Sequence, residues 1–263
     1  MSNNPYEAPR AVVADFQPDD ADTLGFNAQP QALPAGRGID WIKQGWALFV
    51  QSPGLWIGIY LVFIGVLIGA SLVPILGFIA QSVLYPVLGA GIALGCDHLR
   101  RGQPLEFSHL FAGFSRNNTQ LMIVGGIYCV GIIIVMVVAF VPTIGLVGGM
   151  AFVGGGDPDA LMAMMGFPIL IGFLLYFALL MPLVMAVWFA PSLVILNDVP
   201  AVDAMKMSFF GCLKNVLPYL LWSLVVLGLG ILATLPLFLG WLVLMPWVAA
   251  SNYCAYRDIY YRA

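Results

Sequence analysis

Behind a polar head of 36 residues, the chain alternates long apolar runs with short polar intervals. The runs cover 55–74, 77–95, 121–142, 167–196, 217–236 and 240–254. Most approach or exceed the roughly 20 residues that a helix needs, at about 1.5 Å per residue, to cross about 30 Å of hydrocarbon. Unbroken apolarity over that length predicts six spanning helices, not strands. The head, 1–36, is rich in Pro, Ala, Asp, Asn and Gln and has no hydrophobic period, which predicts a disordered arm. No signal-peptide core precedes Ile39, so the first span is expected to direct insertion itself.

The punctuation of these runs recurs three times. Odd-numbered runs end in a proline followed by a glycine, "VPILG" at 73–77, "VPTIG" at 141–145 and "LPLFLG" at 235–240, each predicting a tight turn. Even-numbered runs carry a proline after an apolar pair, at Pro86, Pro182 and Pro246. A proline inside a helix removes one backbone hydrogen bond, and in lipid the freed carbonyl needs another partner. Three such kinks at matched depth predict a shared interior.

Ahead of each odd-numbered run lies a more polar stretch with bulky residues at helical spacing: Ile39, Ile42, Trp46 and Phe49; Phe107, Leu110, Phe111 and Phe114; Val202, Met205, Phe209 and Leu213. Asp40, Glu106 and Asp203 stand early in these stretches, where a helix dipole favours an acid. They read as amphipathic helices lying in the headgroup plane. The fold class is therefore all-α integral membrane, with six transmembrane helices forming three parallel helical-hairpin repeats, each preceded by a cytoplasmic interfacial helix. The repeats run about 38–102, 103–198 and 199–263 in a membrane domain of 37–263, and the middle one carries a periplasmic, Gly-rich loop insertion at about 146–166.

Composition agrees, with 61% hydrophobic and 9% charged residues and a mean hydropathy of +0.95. All ten Lys and Arg residues, Arg10, Arg37, Lys43, Arg100, Arg101, Arg116, Lys206, Lys214, Arg257 and Arg262, fall on one side of the six runs. The positive-inside rule then puts both termini in the cytoplasm. The opposite loops carry only Asp157 and Asp159. A net charge of -3, with acids concentrated in the head, gives no support for nucleic-acid binding. Four cysteines without metal or redox spacing read as reduced thiols.

The strings "GIDWIKQGWALF", "YPVLGAGIALGCDHLRRG", "MPLVMAVWFAPSLVILND", "SFFGCLKNVLPYLL" and "YCAYRDIY" resemble a family of uncharacterised proteobacterial inner-membrane proteins of about this length with six spans. More remotely, the hairpin repeat is similar to membrane domains attached to some bacterial glycerophosphodiesterases. The resemblance implies a bacterial inner-membrane location and carries no activity with it. The head, "NNPYEAPRA", resembles a short motif seen on otherwise unrelated bacterial inner-membrane proteins, which implies a partner-recognition role for Asn4, Pro5, Tyr6 and Pro9; an inert tail is the plainer alternative.

Candidate chemistry is sparse. The runs hold no charged residue or histidine near their centres, which weakens an ion-coupled transport reading. The densest polar cluster is "CDHLRRG", where Asp97, His98, Arg100 and Arg101, with Arg116, Lys206 and Lys214 nearby in the topology, offer donors to a phospholipid headgroup. A positive-inside stop signal explains the same residues without any ligand. Asn252, in the sixth run, needs a hydrogen-bond partner in lipid; it either bonds a carbonyl freed by a proline or lines a cavity. With no nucleophile–base pair, metal set or phosphate loop, no enzyme and no cofactor are expected. The sequence points to a non-enzymatic scaffold or adaptor that contacts membrane phospholipids and presents the N-terminal motif to a protein. The alternative is a transporter or lipid translocator with a pathway along the pseudo-threefold axis.

Overall fold

The structure, a computed structural model, describes residues 25–153 and 158–262. It is helical almost throughout. The helices are α1 (Arg37–Phe49), α2 (Pro53–Ser71), α3 (Leu76–Arg100), α4 (Ala112–Ser115, preceded by a 3-10 turn at Phe107–Phe111), α5 (Asn118–Val153), α6 (Pro158–Trp188), α7 (Ala190–Asn197), α8 (Ala201–Lys214), α9 (Val216–Thr234) and α10 (Trp241–Tyr260). Two-residue strands, β1 (Gly25–Phe26) and β2 (Tyr261–Arg262), pair antiparallel.

Five helical stretches are long and apolar enough to cross a membrane: Pro53–Ser71, Leu76–Arg100, Asn118–Met150, Met165–Asn197 and Val216–Thr234. Four of them leave most of their side chains unburied, as lipid-facing helices do, and along Met165–Asn197 only 6% of the most apolar window is buried; Leu76–Arg100 is 50% buried and lies among the others. Helix α10 has 20 residues, but its second half carries Ser251, Asn252, Arg257 and Asp258. That half is sheltered by protein: Ala250, Tyr253, Tyr256, Ile259 and Tyr260 are exposed by no more than 3%.

Three expectations about the proline pattern change. Turns do separate α2 from α3 at 72–75 and α9 from α10 at 235–240, but "VPTIG" is not a turn. Helix α5 runs through Pro142 to Val153. Eleven further residues, nearly all apolar or glycine, follow that proline, and ending the helix there would strip more backbone of its hydrogen bonds than the proline does. Thr143 Oγ1 donates to Ala139 O beside the weakened turn at 2.8 Å. The insertion at 146–166 is accordingly not a loop: 146–153 extends α5 and 158–166 opens α6. Pro86, Pro182 and Pro246 do lie inside helices, yet only Pro86 and Pro246 are buried; Pro182 is exposed, so a shared interior accommodates two of the three.

One end of the molecule, which carries the Lys and Arg residues and is called here the basic end, holds the core. Its short elements pack against the longer helices. Helix α1 packs on α9 and α10; the 3-10 turn and α4 pack on α2 and α3; α8 packs on α6 and α7. The buried stripe of α1 is Trp41, Ile42, Gly45, Leu48 and Phe49, so the quartet read from spacing is split, with Ile39 and Trp46 exposed. In the second element Leu110 is buried while Phe107, Phe111 and Phe114 remain exposed. In α8 Met205 is buried, Phe209 is half-buried, and Val202 and Leu213 face outward. Close approach depends on missing side chains. A methyl group on Gly45 would meet Ser251 N at 2.5 Å, and one on Gly91 would strike the carbonyls of His109 and Leu110. Both glycines serve contacts between a short element and a longer helix.

The arm is also shorter than composition suggests. Residues 25–36 are ordered against the C-terminus: Asn27 N donates to Tyr260 O (2.8 Å), and Gln31 N to Ile259 O (3.1 Å). The Asn215 amide accepts from Leu33 N (2.9 Å) and donates to Gln31 O (2.8 Å) and Gly211 O (2.9 Å). The rest of the arm lies outside the described residues.

Gly45→Ala is expected to destabilise the protein by about 1–3 kcal/mol, the usual cost of overpacking a close contact. Gly54→Ala, with open space around the site, is expected to be neutral or slightly stabilising. Thermal unfolding of both variants in the same detergent checks the pair.

Candidate functional site

The last turns of α3 bring charged residues to the basic end, and burial decides what each does. Asp97 is 4% exposed. A carboxylate removed from water needs hydrogen bonds and opposite charge, and Asp97 has both: Tyr253 Oη donates to Oδ1 at 2.6 Å, Arg100 Nη2 to the same oxygen at 3.3 Å, and the Arg101 guanidinium forms an ion pair with Oδ2, Nε lying 2.7 Å away. Arg100 Nε also donates to Tyr253 Oη at 3.1 Å. Asp97 thus ties the end of α3 to the middle of α10, and Arg100 is spent within this network.

Helical spacing sends Arg101 the other way. With Leu94, Asp97, His98, Gln103, Arg116 and Leu196 it lines a polar cavity of about 150 Å³. Its floor, Leu94 and Asp97, is buried; Arg101, Gln103 and Arg116 form an exposed rim. The tight turn after α3, with Gly102 at φ +70°, places Gln103 there. Arg116 arrives from the end of α4, just before Asn117, which adopts φ 55°. Asn117 Nδ2 donates to Val194 O at 2.8 Å and Asp198 Oδ1 at 2.7 Å, holding that junction against α7.

His98 meets His109 edge to face with ring centroids 4.2 Å apart. His109 belongs to a capping box: the Glu106 side chain accepts from the His109 backbone N–H, and His109 Nδ1 accepts from Glu106 N at 3.1 Å. Burial, reinforced by the neighbouring His98, holds the His109 pKa below the usual histidine value. Accepting at Nδ1 requires the neutral ring with its proton on Nε2.

Of the residues singled out from sequence, Asp97, His98, Arg101 and Arg116 come together. Arg100 turns inward, as above. Lys206 is not at the cavity; it pairs with Asp203 at 3.3 Å on an exposed face, a contact worth little. Lys214 Nζ donates to Pro30 O at 3.1 Å and fastens the ordered part of the head. Asn252 bonds no carbonyl freed by a proline: its Oδ1 accepts from Trp188 Nε1 at 2.6 Å and Tyr219 Oη at 3.0 Å, joining α10 to α6 and α9. Asn4, Pro5, Tyr6 and Pro9 lie outside the described residues.

Sequence reasoning missed a second charged hub. Asp258 accepts from Arg37 Nε and Nη2, each at 2.7 Å, and from Trp41 Nε1 at 2.8 Å. The fork geometry is the strong form of an ion pair, and it holds the start of α1 to the end of α10. The available signal was a pair of opposite charges, Arg37 and Asp258, each at the edge of an apolar region.

The four cysteines are free and buried, and burial pushes the Cys212 thiol up to about 12, which keeps it protonated. No group of three or more His, Cys, Asp or Glu side chains converges as a metal site among the described residues.

The chain is similar to a probable inner membrane protein of Burkholderia thailandensis, with 29% identity over 248 residues, covering 87% of this chain and 91% of that relative. No protein-family model and no solved structure matches. Together with the apolar helices, the relative supports a multi-pass, all-α membrane protein. It carries no argument toward glycerophosphodiesterases.

Because His109 is held neutral, the folded state binds fewer protons than the unfolded chain. Its contribution to stability is fully present above the ordinary histidine pKa of about 6.5 and is lost as pH falls through the lower folded value. The thermal midpoint is expected to drop between about pH 7 and about pH 5, and His109→Gln, which keeps an acceptor without titrating, is expected to flatten that drop. Unfolding scans of both proteins across this range provide the check.

Proposed function

We propose that the protein is a non-enzymatic, six-span scaffold of the bacterial inner membrane, built from three parallel helical hairpins with both termini in the cytoplasm. The observation that carries this reading is the cyclic order of packing at the basic end. Each short element sits on the hairpin that precedes it in the chain, α4 and its 3-10 turn on α2–α3 and α8 on α5–α7, while α1, with no hairpin before it among the described residues, sits on the last pair, α9–α10. Such an order is what three equivalent units around an axis along the membrane normal produce. Helix α10 counts as the sixth span, its polar half shielded by α1 and α9.

Lipid contact is supported by two features of the same end. Phe111 and Phe114 lie beside each other with ring centroids 6.4 Å apart and are exposed, as is Phe107, suited to insertion beneath headgroups, and the cations lie in the adjoining plane. The scaffold presents the residues before 25, with Asn4, Pro5, Tyr6 and Pro9, to a protein partner. The translocator alternative needs an opening where α3, α7 and α10 meet. That junction is filled by Phe189, Leu193, Tyr253, Tyr256 and Tyr260, all at most 3% exposed, which favours the scaffold.

A phosphatase reporter is expected to be active when fused after Asp159 and inactive when fused at Ala263. Activity at Ala263 overturns the orientation. Deleting residues 1–12 is expected to abolish co-purification of a partner while leaving the folded membrane domain intact, read by mass spectrometry of the gently extracted protein.

A further inference from the structure

We infer that the cavity between α3, α4 and α7 is a recognition site for a phosphate group carrying terminal oxygens, as in a phosphomonoester. The inference rests on the proposed placement of the basic end in the cytoplasm, beside lipid headgroups and soluble phosphates, and it names the ligand that this placement makes accessible.

The argument is one of unspent donors. Exposed donors that no protein group occupies hold exchangeable water, and an anion seated against a buried floor replaces that water with charge-assisted bonds. Around this cavity Asp97 is satisfied by Tyr253, Arg100 and Arg101. It therefore acts as a fixed brace, setting the Arg101 guanidinium by its Nε and leaving that group's terminal nitrogens for something else. The Arg116 guanidinium has no hydrogen bond or ion pair among the described residues, and neither does the side-chain amide of Gln103. His98 contacts His109 only through its ring. Three separate segments, the end of α3, the turn after it and the end of α4, thus aim donors at one space.

Size and valence select the ligand. A space of about 150 Å³ takes a single headgroup-sized anion and no acyl chain. Two guanidinium groups, an amide and an imidazole together exceed what the two oxygens of a carboxylate can accept, while three terminal phosphate oxygens accept bidentate contacts from both arginines. A diester offers two such oxygens and half the charge. The open rim admits either a lipid phosphomonoester from the membrane or a free phosphate from solution.

The test uses full-length protein in a nonionic detergent, observed by native mass spectrometry and by isothermal titration. The probes are phosphatidic acid, phosphatidylglycerol and inorganic phosphate. Phosphatidic acid is expected to bind more tightly than phosphatidylglycerol, and Arg116→Gln is expected to weaken it by about tenfold or more, the loss of one charge-assisted pair. Lys43→Gln, which removes an exposed charge elsewhere on the same end, controls for bulk electrostatics and is expected to leave the preference unchanged. If inorganic phosphate binds or competes, and Arg116→Gln weakens it equally, the site stands and its ligand comes from solution. If phosphatidic acid alone shows the Arg116 dependence, the ligand is lipid. If lipids bind but neither their ranking nor their affinity responds to Arg116→Gln or Gln103→Ala, the cavity proposal is overturned while the lipid-contact reading survives. If no probe binds in either assay, both fall.

Discussion

Hydrocarbon gives two apolar helices no hydrophobic reason to leave lipid for each other, so a membrane bundle is held by close packing at small residues and by polar contacts. The distribution of both in this protein accounts for its shape. At the basic end Gly45, Gly91 and Gly113 bring backbones together, and Asp97, Asn215, Ser251, Asn252 and Asp258 each bond across elements. Toward the far end close-packed glycines such as Gly172 and Gly240 continue, but cross-element polar bonds thin out, and α5 and α6 keep Ile144, Leu146, Phe167 and Leu174 exposed. The core is a basic-end collar of short elements and helix ends, with the apolar spans standing outward from it.

That collar explains why buried charge is tolerated. Asp97 and Asp258 both receive an arginine and an aromatic donor, Tyr253 in one case and Trp41 in the other. An ion pair of this kind contributes little net energy against an apolar replacement, but removing one partner leaves a buried charge exposed to the full desolvation cost. Its value lies in register: each carboxylate accepts only the partners arranged around it, so α3 meets α10, and α1 meets α10, at one depth. The cavity beside Asp97 inherits its geometry from this bracing, since Arg101 is oriented by the same carboxylate that fixes the helix.

Element type and the location of the polar cluster were legible in the sequence because both depend on local composition. Apolar runs specify helices whatever their neighbours, and Asp97, His98 and Arg101 fall within one helical turn and a half of each other. The failures share a cause in distance or context. "VPTIG" carries the same local signal as two true turns and differs only in the apolar residues that follow Pro142. Asn252 finds its partners 33 and 64 residues away, with nothing nearby to announce them. The order of residues 25–36 depends on Asn215 and on backbone groups of 258–262, so a composition typical of disorder concealed a paired segment. The sequence spacing on α1 marked bulky residues correctly and their directions only half correctly, because the buried stripe passes through Gly45, which no pattern of bulky residues marks, and leaves Ile39 and Trp46 off it.

The bond between Arg37 and Asp258 joins positions separated by 221 residues. Translation at about 5–20 residues per second leaves roughly 10–45 s between the appearance of one partner and the other. Throughout that interval α1 has emerged but its resting place, α10, does not exist, and β1 has no strand to pair with. The collar closes only after the ribosome has added α10, so a chain that stops short of it leaves Arg37 and Trp41 without Asp258 and β1 without β2. The order of α1 and β1 is thereby set late, by residues made 221 positions after Arg37.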